Sequence, residues 1–224
     1  MIGADRGGSG AGDSDVSPSD VSPSERVAWA VFGVTVVAGL VGVVRQRREV
    51  RAVRRGELVP ASAAADVPPR RPAGGLGDRL AGWVPSRPTT PTGRIAAALW
   101  AAPLTIVGFG VAVVSGRLPR WDAARGCFIA RGVGGPSSRA LRLVGADANT
   151  IGQVVLARSP DPAASLLDHE AVHVRQCERL GLAMVVCYPW LAAGYGYRDH
   201  PLERAARTGA RRRASRPADG PATG

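Results

Sequence analysis

The segment LLDHEAVHVRQCERLG holds two of the chain's three histidines, four residues apart, with a glutamate beside the first: His169-Glu170-x-x-His173. Positions i and i+4 of a helix share a face, so both imidazoles can converge on one ion, and zinc accepts such nitrogens at about 2.0–2.1 Å. Glu170 is turned about 100° from His169, badly placed as an equal ligand but able to reach a water at the metal as a general base. That is the division of labour of a zinc hydrolase, with two ligands and a base from little more than one helical turn. Leu166, Glu170, His173, Cys177 and Leu180 fall on one 3.6-residue stripe, so the motif faces a core, where a charged glutamate needs a partner.

A catalytic zinc takes three protein ligands and keeps a fourth position open. Residues for the third lie in GYGYRDHPLERAAR. Pro201 suits the first turn of a helix and His200 or Asp199 its cap, and both His200 and Glu203 can face the ion. Whichever is not the ligand is a candidate to stabilise an oxyanion or to support the site from behind; Tyr195 and Tyr197 are further oxyanion candidates. Cys177 and Cys187 read as small core residues, and an odd total of three cysteines gives no disulfide framework.

These side chains need a rigid frame. The helix carrying the motif reads as 162–180, with Asp161 as N-cap, Pro162 at the first helical position and Gly181 as its stop. NTIGQVVLARS reads as one strand able to align an extended substrate, and WDAARGCFIARG as short strand pieces around turn glycines. LAMVVCYPWLAAGYG is apolar enough for a membrane crossing, but a full crossing would part His173 from Glu203. It must then be a buried helix, a membrane-dipping hairpin or a hydrophobic wall for substrate.

Two uncharged runs precede this domain. Residues 27–44 can span the hydrocarbon layer as a helix of roughly 27 Å. An acidic tail before the run and arginines after it reverse the flanks of a signal peptide, so it reads as a transmembrane helix with the arginines in the cytoplasm. Residues 95–115 read as a second crossing, placing the metal-binding domain outside the cytoplasm, although Arg117, Arg120 and Arg125 pull the other way. Residues 1–26 and 209–224 read as disordered tails, and 45–94 as an Arg/Pro-rich linker near anionic lipid headgroups. All 29 basic residues are arginine, which with so much Ala, Gly and Pro reflects GC-rich coding; the net charge of +11 is therefore poor ground for a nucleic-acid partner.

HEAVHVRQ followed downstream by PLER resembles small bacterial gluzincin-like metallopeptidase domains of the minigluzincin type, in which HExxH, often continued as HExxHxxQ, pairs with a later helical glutamate. The resemblance covers roughly residues 117–208 and includes Gln176. It implies that His169, His173 and Glu203 bind zinc and that Glu170 is the base. Zinc would activate water and polarise a peptide carbonyl, with Tyr197 or His200 at the oxyanion. The expected fold is α+β: a few-stranded sheet packed on the HExxH helix and a C-terminal helix bearing Glu203, spanning 116–208 behind two transmembrane helices. The expected activity is hydrolysis of a peptide or protein substrate by a membrane-anchored enzyme in contact with lipid. The second reading is a non-catalytic zinc-binding module or scaffold, recognised by a closed, four-coordinate site.

Overall fold

The computed structural model describes residues 22–58 and 75–215. The expected N-terminal tail except its last residues, the middle of the linker and the end of the basic tail lie outside the described residues. The chain divides into two compact units, Met1–Val34 and Thr35–Gly224. In the first, helix α1 (Pro23–Arg54) starts on a capping box. The Glu25 amide donates to Ser22 Oγ at 3.2 Å while the Ser22 amide donates to Glu25 Oε2 at 2.8 Å. The helix runs past the expected end at Val44 because the arginines, Gln46, Glu49 and Ala52 that follow are good helix formers.

In the second unit, helices α2 (Leu76–Gly82) and α3 (Pro91–Val114) follow. Thr90 caps α3 by accepting from the Gly93 amide at 3.2 Å, and Pro91 fits the first turn, where no amide is needed. Helices α1 and α3 are long and apolar enough to cross a membrane, with mean hydropathies of 2.4 and 2.0 over their most apolar stretches. Helix α3 is two-sided: Ala97, Ala101, Leu104, Gly108 and Ala112 form a buried face, while Ile95, Leu99, Ile106 and Val113 are exposed. Gly108 matters to that face, since a Cβ there would lie 2.6 Å from the Ile151 carbonyl oxygen.

The sheet has four strands, β1 (Arg120–Asp122), β2 (Cys127–Arg131), β3 (Ala148–Ile151) and β4 (Val154–Ala157), in the order β1-β2-β4-β3. Among the described residues only β2 and β4 pair in parallel, and the crossover between them holds helix α4 (Gly135–Val144) and β3. The stretch expected as one strand, NTIGQVVLARS, is thus a hairpin of β3 and β4. It folds back at Gly152, whose φ of +62° is a conformation glycine adopts without a Cβ clash. One sheet face packs Cys127, Ile129, Val155 and Ala157 against Leu167 and Val174 of helix α5 (Ala164–Leu180). The other packs Ala130, Val154 and Leu156 against Ala112 of α3 and Leu141 of α4.

Helix α5 starts two residues later than its proline suggested, at Ala164 rather than Pro162. The Asp161 amide is held in a turn by Ser159 Oγ at 3.1 Å, and among the described residues no side chain caps the helix. Gly181 ends it as expected, its amide donating to the Cys177 carbonyl at 2.8 Å. Residues 170–178 are all buried, so the helix is covered on every side there rather than along one stripe.

Helices α6 (Ala183–Asp199) and α7 (Pro201–Ala214) complete the unit. The apolar run 182–196 is therefore mostly helix, but not a buried one: Leu182, Val185, Val186 and Trp190 are exposed, and so is Cys187, contrary to its reading as a core residue. Its other side meets α1, where a Cβ on Gly42 would lie 3.0 Å from Ala192 Cβ. Arg45 donates to the Ala193 carbonyl, Arg47 Nε to Leu143 O at 3.2 Å, and the Arg198 amide to Glu49 Oε2 at 3.1 Å. The basic end of α1 is thereby built into the same unit as α4, α6 and α7. Helix α7 continues six residues beyond the domain end expected at 208, through Gly209 and a run of Ala and Arg to Ala214.

Candidate metal centre

Helix α5 presents His169 and His173 from successive turns, and α7 brings Glu203 to them from its first turn. His169 Nε2 lies 3.2 Å from Glu203 Oε2, His173 Nε2 3.2 Å from Glu203 Oε1, and the two Nε2 atoms are 3.2 Å apart. One ligand atom from each residue fits within a 4.8 Å span, and the group could hold a metal ion. The rest of the geometry fits that use. Gln176 Nε2 donates to Leu202 O at 3.3 Å, so its Oε1 is the acceptor for His173 Nδ1–H at 2.8 Å. That tautomer leaves the His173 Nε2 lone pair facing the centre, where a second imidazole nitrogen and a carboxylate also point. Such a buried convergence of acceptors could hold a cation between them.

Burial disfavours a charged His173, but the Glu203 carboxylate outweighs it and pushes the imidazole up to about 9. Burial likewise opposes ionisation of Glu203, and the neighbouring His173 and His169 overcome it, holding the carboxyl well below its usual range. Tyr188 Oη donates to Glu203 Oε1 at 2.6 Å. Burial first, then the Glu203 charge, keeps that phenol protonated far above its ordinary range. For Tyr197 the Glu203 charge comes first and burial second, with the same result.

Glu170 is 5% exposed and does not join the ligand group. Its Oε2 accepts from Thr150 Oγ1 of edge strand β3 at 2.6 Å, so the sheet fixes the carboxylate beside the centre. His169, Glu170 and Tyr197 line a cleft of about 810 Å³ whose walls include Gln46, Glu49 and Val50 of α1. Tyr195 is not part of that lining.

The structure does not bring His200 to the cluster. Its Nδ1 accepts from the Leu202 amide at 3.2 Å as the cap of α7, and its Nε2–H donates to Tyr188 O at 3.1 Å. With both nitrogens engaged and burial pushing its pKa down to about 4, it is a neutral cap and not a group facing the cleft. Sequence reasoning missed Tyr188 and Thr150. A signal existed for the first, because a phenol within an apolar run needs a hydrogen-bond partner. None existed for Thr150, since its contact with Glu170 spans two elements. Cys177 is buried in the core, and among the described residues no fourth ligand joins the three.

No protein-family model, curated protein or solved structure matches the chain.

Proposed function

We propose that this chain is a membrane-anchored zinc metallopeptidase of zincin-like fold, in which His169, His173 and Glu203 hold the metal and Glu170 is the general base. The observation that carries this reading is the His-His-Glu group itself: three ligands from two helices, with the motif glutamate beside them and outside the set. Zinc is the ion that suits two imidazoles and a carboxylate in a small buried site. Bound there, it would supply a Lewis acid that polarises a carbonyl and makes water a nucleophile at neutral pH. The chain's own contribution is to hold the Glu170 carboxylate with Thr150 so that it can take a proton from attacking water and pass it to the leaving amine. Tyr197, protonated and in the cleft lining, is suited to donate to the developing oxyanion.

A ligand set of three favours this over a closed structural site, which would need a fourth protein group. The reading also has a side. Because Arg47 and Glu49 are bonded into the unit that holds the metal group, the cleft lies on the side of the arginine flank, and arginine flanks stay in the cytoplasm. On this proposal the cleft is cytoplasmic, in place of the extracytoplasmic side expected from two full crossings.

The test is metal content and peptide hydrolysis by the full-length protein. Glu203→Ala should lose zinc, whereas Glu170→Gln should keep about one zinc per chain and lose hydrolysis by roughly 10²–10⁴-fold. Zinc retained in Glu203→Ala, or full activity in Glu170→Gln, would sink the assignment.

A further inference from the structure

Helix α1 does two things in one continuous element. Its apolar run ends at Val44, and Gln46, Glu49, Val50 and Val53 then line the cleft that contains His169 and Glu170. Those four residues follow an i, i+3, i+4, i+7 pattern, which is a single helical face. The cleft wall is therefore a direct continuation of the candidate membrane helix. At 1.5 Å per residue these four residues start about 3 Å beyond the apolar run and reach about 14 Å beyond it. Headgroup layers occupy roughly 5–8 Å on each side of the hydrocarbon core, so a cleft at that distance starts within the headgroups.

The other walls are tied to the same level of α1. Arg47 donates to Leu143 O at the end of α4, and a Cβ on Gly145 would lie 2.6 Å from Val50 Cγ2, next to the lining residues Arg142 and Ala146. On the opposite side Glu49 Oε2 accepts from the Arg198 amide, beside Tyr197. The cleft cannot move away from the membrane without breaking these contacts or bending α1.

We propose that the cleft opens at the headgroup level of the cytoplasmic leaflet and takes the juxtamembrane segment of a membrane-anchored polypeptide. The substrate class rests on the hydrolytic reading above; the depth of the cleft does not. A chain leaving the bilayer beside α1 passes the cleft mouth within its first few residues. A free peptide gains nothing from α1, and a segment held far above the surface cannot reach the cleft.

The experiment uses the full-length protein in phospholipid vesicles and has two arms. In the first, Ser165→Cys in a Cys187→Ser background is labelled with a bimane; Ser165 is exposed and lines the cleft, and Cys127 and Cys177 are buried. Nitroxide on the lipid headgroup should cause loss of fluorescence, and nitroxide at the acyl chain end should not. No headgroup quenching overturns the proposed depth, whatever the protein hydrolyses. In the second arm, with zinc supplied, two vesicle-anchored peptides are compared, one with its susceptible segment at the membrane and one carrying it beyond a 20-residue polyproline spacer of about 60 Å. The first should be cleaved and the second should lose cleavage. Equal cleavage of both overturns the juxtamembrane substrate. Quenching with no cleavage of either overturns the substrate class through the hydrolytic reading and leaves the depth standing.

Discussion

Gln176 decides which nitrogen of His173 faces the centre. Its amide is locked by donation to Leu202 O, so its oxygen accepts from Nδ1 and the Nε2 lone pair is left for an ion. Gln176→Leu should therefore weaken binding of the proposed zinc by about 10–100-fold, the usual scale for losing an outer-shell partner, as read by competition with a fluorescent chelator. An unchanged affinity would mean the tautomer is set elsewhere. His200 predicts a pH dependence. Its folded pKa of about 4 lies below the unfolded value of about 6.5, so the unfolded chain binds the extra proton between those values. The stabilising contribution is complete above about pH 6.5 and is lost as pH falls toward 4, at most about 3 kcal/mol. In metal-free protein, His200→Asn keeps a capping oxygen for the Leu202 amide and should flatten the fall in melting temperature across that window. Parallel curves for the two proteins would refute this.

At the scale of elements, the seam between α1 and α6 couples the long apolar helix to the unit that holds the His-His-Glu group. It works because Gly42 lets Ala192 approach, with room for nothing larger. Gly42→Leu should destabilise the second unit by about 1–3 kcal/mol through overpacking, seen as a lower melting temperature and faster proteolysis of the full-length protein in micelles. A variant as stable as the parent would show that the seam carries no weight. The caps repeat one lesson. Ser22 and Thr90 cap helices in segments expected as tail and linker, and Gly181 stops α5 as expected, whereas Asp161 does not cap α5 because Ser159 draws its backbone into a turn. The hairpin of β3 and β4 was hidden for a similar reason: β-branched residues on both sides of Gly152 read as one run, and only the reversal at that glycine separates them.

At the scale of the molecule, the side of the membrane is the open consequence of the fold. Arg45 and Arg47 are bonded to α6 and α4, so the proposed topology keeps the arginine flank and the unit with the His-His-Glu group on one side. An impermeant maleimide should label Ser165→Cys, in the Cys187→Ser background, in inverted membrane vesicles and not in right-side-out ones. The reverse pattern would return the cleft to the outer face and require α1 to be inserted against its charge bias.

What the sequence determined by itself is what depends on near neighbours along the chain. His169 and His173 share a helical face because they are four apart, Pro201 opens a helix that carries Glu203 in its first turn, and the apolar runs form helices. Spacing left His200 and Glu203 equal as third ligands, and resemblance alone preferred Glu203. Only the tertiary structure separated them, by spending both nitrogens of His200 on the cap and on Tyr188 O while the carboxylate of Glu203 turned to the histidines. Thr150 beside Glu170, Tyr188 on Glu203 and the wall contributed by α1 are contacts between elements distant in the chain. Their physical cause is the packing of those elements around a buried group, which no local pattern of residues encodes.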